Sequence, residues 1–200
     1  MKGKYIVFEG ISGAGKGTHL KLLSEYLEKN NKEFIAVKEP TEKLYSLIKE
    51  KWSKRRIPLE NALLFAADRV SLVEETIKPS LKEGKIVLSD RSFISSLVYQ
   101  SMEGLELAFL QEINSFVPEP DLILIFLTSS EEALRRIDKR SEKSSFENKE
   151  EIEKLIKKFK EISEKLPNAK IINSEESKEA THQKILKTLK EFSILGKAEK

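Results

Sequence analysis

The chain has eight glycines in 200 residues, and four of them, Gly10, Gly13, Gly15 and Gly17, fall within eight consecutive positions. Glycine is the residue that admits left-handed backbone and lets main chain approach a ligand closely. Before the cluster, Tyr5-Ile6-Val7-Phe8 is an apolar run suited to a buried strand; after it, Leu20, Leu22, Leu23, Tyr26 and Leu27 recur at helical spacing. The order strand, glycine loop, helix is therefore set within the first 30 residues. Gly10-Ile11-Ser12-Gly13-Ala14-Gly15-Lys16 matches GxxxxGK. In that pattern the glycines turn successive N–H groups toward phosphate oxygens, and the helix that follows adds its positive end. Lys16 would reach the β and γ phosphates. The strict pattern continues with Ser or Thr, whereas here Gly17 intervenes and Thr18 is the nearest hydroxyl for the metal side. A turn that merely joins strand to helix needs one or two glycines and no lysine. The expected ATP-binding set is thus Gly10, Ile11, Ser12, Gly13, Ala14, Gly15, Lys16, Gly17 and Thr18.

Beyond residue 30 the pattern alternates. Strands are expected at 34–37, 86–88 (running into Ser89-Asp90), 122–127 and 170–172. Helices are expected over 41–52, 59–81, 92–102 and 105–116, from about Ser130, over 149–165 and over 176–192. Five apolar strands separated by helices, with no hairpin signals, predict a parallel sheet covered on both faces. The fold expected is a three-layer α/β fold of the P-loop NTPase type, one domain over 1–200 with a small lid at about 136–148.

Composition narrows the function. With 36 Lys+Arg against 33 Asp+Glu the net charge is only +3, spread over a surface of mixed sign, which argues against a nucleic-acid binder. The absence of cysteine excludes disulfides, thiolate metal sites and a cysteine nucleophile. Two histidines offer little to a His-ligated metal, and His19, just after the loop, is read as a surface or helix-packing residue. No apolar run approaches the roughly 20 residues of a membrane span, so the expected location is the cytoplasm.

A phosphate loop names a nucleotide and leaves the reaction open. Arginine-bearing segments supply the remainder. In Leu63-Leu64-Phe65-Ala66-Ala67-Asp68-Arg69, helical spacing puts Phe65 and Arg69 on one face, an aromatic plate beside a planar cation; the plain alternative is a core Phe and a surface Asp68/Arg69 pair. Asp90-Arg91 ends the third strand at the carboxyl edge, where ligands bind in open α/β sheets. Asp90 is placed to hold Mg²⁺ and Arg91 to clamp a second phosphate. Arg135, Arg136 and Arg140 follow the fourth strand, either as a cationic lid or as a solvated face paired with Glu131, Glu132 and Asp138. No nucleophile, paired carboxylates or obvious base accompanies them. None is required when the acceptor is itself a phosphate, which is largely dianionic at neutral pH because its second pKa is about 6.

Taken together these residues resemble the thymidylate kinase family over nearly the whole chain. Phe8-Glu9-Gly10, Glu39-Pro40-Thr41, Leu64 to Arg69, Ile77-Lys78-Pro79, Asp90-Arg91 with Ser95 and Tyr99-Gln100, and Pro120-Asp121-Leu122 occur in family order. The resemblance implies transfer of the ATP γ-phosphoryl group to dTMP with Mg²⁺, by a homodimer. It implies that Phe65 stacks on thymine, Arg69 contacts the base, Arg91 binds the acceptor phosphate and Asp90, with Glu9, lies on the metal side. Ser95 and Ser96 would line the base pocket beside Glu39, Tyr99 would exclude a 2′-hydroxyl, and Arg136 and Arg140 would act from the lid beside Lys16. Ser12 stands where the family usually has an acid, and Ser92 where an aromatic or histidine usually follows Asp-Arg. Three alternatives stay open: another nucleoside monophosphate, a deoxynucleoside with Glu39 as base, or nucleotide binding with little turnover.

Overall fold

A computed structural model describes residues 3–52, 57–139 and 148–195. Five strands form one sheet: β1 (Lys4–Gly10), β2 (Phe34–Lys38), β3 (Ile86–Asp90), β4 (Leu122–Leu127) and β5 (Ala169–Asn173), in the order β2-β3-β1-β4-β5. Every pairing is parallel. The three central strands are apolar along nearly their whole length, because a parallel sheet with helices on both faces must be buried on both. Tyr5, Ile6, Val7 and Phe8 of β1 and Leu122 to Phe126 of β4 are all at most 1% exposed.

The helices are α1 (Lys16–Lys29), α2 (Glu42–Trp52), α3 (Pro58–Leu72), α4 (Lys78–Lys82), α5 (Phe93–Met102), α6 (Leu107–Glu112), α7 (Ser130–Asp138), α8 (Lys149–Ser163) and α9 (Lys178–Glu191). Two differ from expectation. The single helix anticipated over 59–81 is interrupted by a π-helical turn, Val73–Ile77, between α3 and α4. Pro79 lacks an N–H and its ring crowds the carbonyl four residues back, so the wider turn before it relieves a conflict that hydrophobic periodicity does not register. The helix expected over 105–116 is shorter, because turns replace it after Glu112. Among the described residues no helix is long and apolar enough to cross a membrane.

Parallel strands put all their carboxyl ends on one edge. β1 ends there at Gly10 and β3 at Asp90, with Phe8 paired to Asp90 and Gly10 to Phe126 of β4. The glycine loop and the Asp90-Arg91 corner are therefore neighbours by topology.

Candidate active site

The loop between β1 and α1 is built as its glycines require. Gly10, Gly13 and Gly15 have φ of 127°, 79° and 89°. A Cβ on Gly10 would lie 2.0 Å from the Phe126 carbonyl oxygen, and one on Gly13 would lie 2.6 Å from that of Ala133. Both are closer than real Cβ contacts, so β4 and α7 seat the loop only because glycine is there. Ile11 and Ala14 point into the core, Ser12 and Gly15 are partly exposed, and Gly17 and Thr18 face solvent on the first turn of α1.

Three cations from three elements converge on this loop. Lys16 Nζ, on α1, donates to the carbonyls of Gly10 at 2.9 Å and Ile11 at 2.8 Å. Arg91, directly after β3, has Nη1 3.5 Å from the same Gly10 oxygen and 3.0 Å from Ser95 Oγ. Arg136, on α7, donates from Nη1 to the Gly13 carbonyl at 3.3 Å and from Nη2 to that of Ser174 at 2.7 Å, with Nε on Glu132 at 2.6 Å. Arg135 turns outward onto Glu132, so the two adjacent arginines divide between the solvated and the loop-facing readings. Arg140 and, with it, residues 140–147 of the expected lid lie outside the described residues.

Beneath the cations is Glu9, fully buried. Its Oε1 accepts from Ser92 N, Ser92 Oγ and Ser95 N, and its Oε2 from Ser95 Oγ at 2.7 Å. Burial pushes this carboxyl above its ordinary value while Arg91, Ser95, Ser92 and Lys16 pull against that. Both oxygens expected on the metal side are thus engaged by the start of α5. Ser92, one of the departures from the family pattern, also caps α5 by accepting from Ile94 N. Burial works against the charge on Arg91, but Tyr99, Glu9 and Asp90 outweigh it and hold its pKa above the ordinary range. Its Cζ sits 5.5 Å over the Tyr99 ring, whose edge meets Phe159 at 6.1 Å. Asp90 Oδ1 is buried and makes no hydrogen bond, as suits a carboxylate oxygen at a metal's outer or inner shell.

A second cluster gathers on Arg69, 2% exposed on α3. Its Nε donates to Glu39 Oε2 at 2.6 Å, its Nη2 to Ser96 Oγ at 3.2 Å, and its Nη1 to Asn114 Oδ1. Asp68 does not form a surface pair with Arg69: it takes Thr41 N at 2.9 Å and Thr41 Oγ1 at 2.5 Å. Consecutive residues of α3 thereby grip consecutive parts of Glu39-Pro40-Thr41, whose Glu39–Pro40 bond is cis. Burial pushes the Glu39 carboxyl up to about 7 although Arg69 opposes the shift. Its Oε1 is buried without a hydrogen bond. Phe65, one turn before Arg69, is half-buried.

The site residues read from the sequence thus fall into two groups, one at the glycine loop and one around Arg69, joined by α5 through Ser95 and Ser96. Asn114 and Ser174, which hold Arg69 and Arg136, were not anticipated. They lie 45 and 38 residues from their partners, and no local pattern marks them. His19 is not at the surface but packed. It is 4% exposed, stacked on Phe126 at 5.6 Å and on His182 at 6.2 Å.

A glycine loop of GxxxxGK form at the end of the central strand, ringed by cations that would meet both a nucleotide and a second phosphate, defines a P-loop kinase. The family model for thymidylate kinase matches residues 8–185. Similar proteins include the probable thymidylate kinase of Pyrococcus horikoshii, 40% identical over 98% of this chain and 100% of its own length. That of Thermococcus gammatolerans is 38% identical over 97% and 99%. The crystal structure of thymidylate kinase from Ehrlichia chaffeensis superposes with a TM-score of 0.73 at 26% identity, covering 94% of this chain and all of that one. This chain belongs to the thymidylate kinase family.

Proposed function

We propose that the protein transfers the γ-phosphoryl group of ATP to dTMP, giving dTDP and ADP, in the cytoplasm and as a homodimer. The observation that carries the reading is the convergence of Lys16 and Arg91 on the Gly10 carbonyl. Two cations brought from different elements to one oxygen call for anionic oxygens between them. Lys16 belongs to the donor side by its place in the loop, and Arg91 to the acceptor side by its place at the third strand. Arg136, held against Gly13, adds a third charge where the donor phosphates lie, and Arg140 is proposed to join it from the lid.

Catalysis then consists of positioning and charge stabilisation. The loop N–H groups and Lys16 hold the donor phosphates while Arg91 fixes the acceptor phosphate in line. Negative charge spread over the transferring group's oxygens in the transition state meets Lys16, Arg91 and Arg136. No protein base is needed, because the acceptor oxygen carries no proton near neutral pH. Asp90 and Thr18 would hold Mg²⁺, which would supply positive charge to offset that of the phosphates. Phe65 would stack on the base, Arg69, Ser96 and Glu39 would form its far wall, and Tyr99 would close the sugar edge against a 2′-hydroxyl.

Glu39 favours one second reading. A buried carboxyl with a pKa of about 7 and one unpartnered oxygen has the affinity for a proton that a general base needs to take one from a nucleoside 5′-hydroxyl. A coupled ADP-release assay with ATP and Mg²⁺ against dTMP, dUMP, UMP, CMP, AMP, GMP and thymidine separates the two. Dominant turnover of dTMP is expected. Turnover of thymidine above dTMP would assign Glu39 as a base, and no turnover with any acceptor would remove the kinase reading.

A further inference from the structure

Glu9 is the only carboxylate among the described residues that is both 0% exposed and set directly before the glycine loop. A buried carboxylate is retained at a cost unless donors surround it. All four of its donors belong to Ser92 and Ser95, at the start of α5. Ser95 Oγ spends its proton on Glu9 Oε2 at 2.7 Å and keeps its lone pairs for Arg91 Nη1 at 3.0 Å. The chain Glu9, Ser95, Arg91 is thus directional, with each hydrogen bond polarising the next.

The backbone of Arg91 is fixed just as firmly. Its φ is 76°, left-handed and unusual for a residue with a side chain. Its N–H donates to Phe8 O at 2.9 Å, and its carbonyl accepts from Ser89 Oγ at 2.6 Å. Main chain and guanidinium are therefore tied to β1, β3 and α5 together. Apart from Ser95, the guanidinium meets Tyr99, through a side-chain hydrogen bond as well as the ring face, and the more distant Gly10 oxygen; of these partners Ser95 is the one held in turn by Glu9. Arg91 and Lys16 in turn both favour the charged form of the Glu9 carboxyl, against its burial.

We propose that Glu9 and Ser95 are positioning residues that aim Arg91 at the acceptor's phosphate, Ser95 by its hydroxyl and Glu9 by orienting that hydroxyl and offsetting the charge behind it. Ser95 in this role is a support for the arginine, not a wall of the base pocket. The inference rests on the assignment of Arg91 to the acceptor side made above. It predicts a defect specific to the phosphate of the acceptor, leaving both its base and ATP untouched.

The test measures binding of dTMP, thymidine and ATP by calorimetry to the wild type and to Ser95→Ala, Ser95→Thr, Glu9→Gln and Arg91→Ala, with thermal unfolding of each. A hydrogen bond to a charged group makes the expected loss of dTMP affinity in Ser95→Ala about tenfold or more, with thymidine and ATP within about twofold. Ser95→Thr, which keeps the hydroxyl, restores dTMP binding. In an Arg91→Ala background the Ser95→Ala change costs nothing further, since its effect passes through Arg91. Glu9→Gln repeats the pattern of Ser95→Ala; should that buried variant unfold, the Ser95 and Arg91 cycle still decides. Equal losses for dTMP and thymidine, or a full second loss in the Arg91→Ala background, would overturn the proposal. A wild type that binds thymidine as well as dTMP would instead remove the acceptor assignment itself, before any variant is compared.

Discussion

Phe65 stands half-exposed one helical turn from a fully enclosed Arg69. A ring in that position either covers the core or offers a face to a base, and the two uses respond differently to truncation. Stacking of a base on an aromatic ring contributes about 1–3 kcal/mol, so Phe65→Ala is expected to raise the KM for the acceptor by roughly five- to 150-fold. The KM for ATP and the melting temperature should change little, and steady-state kinetics varying each substrate in turn checks this. His19 makes a different prediction. Burial, with His182, Arg136 and Lys178 adding to it, lowers its pKa from 6.5 to about 4. The folded state therefore prefers neutral His19, and the unfolded chain binds its proton first as pH falls. Stability from this group is complete above pH 6.5 and is lost between there and about 4, by at most about 3 kcal/mol. Denaturant unfolding of wild type and His19→Phe across pH 7 to 4 should show the wild type declining more steeply. Parallel profiles would mean that His19 accepts its proton within the fold at no cost.

At the scale of elements, α1 carries a glycine that the loop does not need. Gly17 is helical, faces solvent, and a Cβ there would meet nothing within 4 Å. Gly17→Ala should therefore stabilise the ligand-free protein by up to about 1 kcal/mol through helix propensity. Gly13→Ala, at φ 79° with Ala133 O in its path, should destabilise it by several times that, roughly 2–4 kcal/mol. Chemical denaturation of both variants tests whether the glycines of one cluster have separate duties. The same contrast shows how far the sequence could be read. The cluster was legible because its motif is one contiguous run, although the backbone of Phe126 and Ala133 that forbids a side chain at Gly10 and Gly13 is distant in sequence, and the strands were legible because apolar runs this long have few other uses. The break at Val73–Ile77 was not, since a proline acts on the turn before it while hydrophobic spacing continues unchanged. Asn114, Ser174 and the grip of Asp68 on Thr41 were hidden for another reason: each is a tertiary hydrogen bond between positions that only the folded sheet brings together. Glu9 was noticed by its motif, yet which atoms its oxygens would meet depended on how β1 and α5 pack.

At the scale of the whole molecule, α3 presents a problem that a lone chain does not solve. Its inner face is buried at Asn61, Ala62, Ala66 and Arg69, while Leu59, Leu63 and Val70, at steps of four and seven, are 49%, 49% and 42% exposed on the outer face. The adjoining α2 adds Tyr45 and Leu47, also exposed. Isolated surface leucines need no explanation, but a stripe along one helix beside further apolar groups on its neighbour is what a self-complementary interface presents. A two-fold contact through α3 would bury the stripe against its own copy, and standard interfaces of about 800 Å² per partner are within reach of two helices. Such a contact would also brace the helix that carries Phe65, Asp68 and Arg69, so assembly and acceptor binding should be linked. The expectation is that the protein sediments at twice its 22.9 kDa chain mass at micromolar concentration. Leu63→Glu, which sets a charge in the middle of the stripe, should sediment as a monomer that still binds ATP but shows a raised KM for the acceptor. A wild type that stays monomeric would remove the homodimer. A monomeric Leu63→Glu with unaltered acceptor kinetics would keep the dimer and sever it from the site, leaving α3 rigid enough alone, through Arg69 and Asp68, to hold its acceptor residues in place.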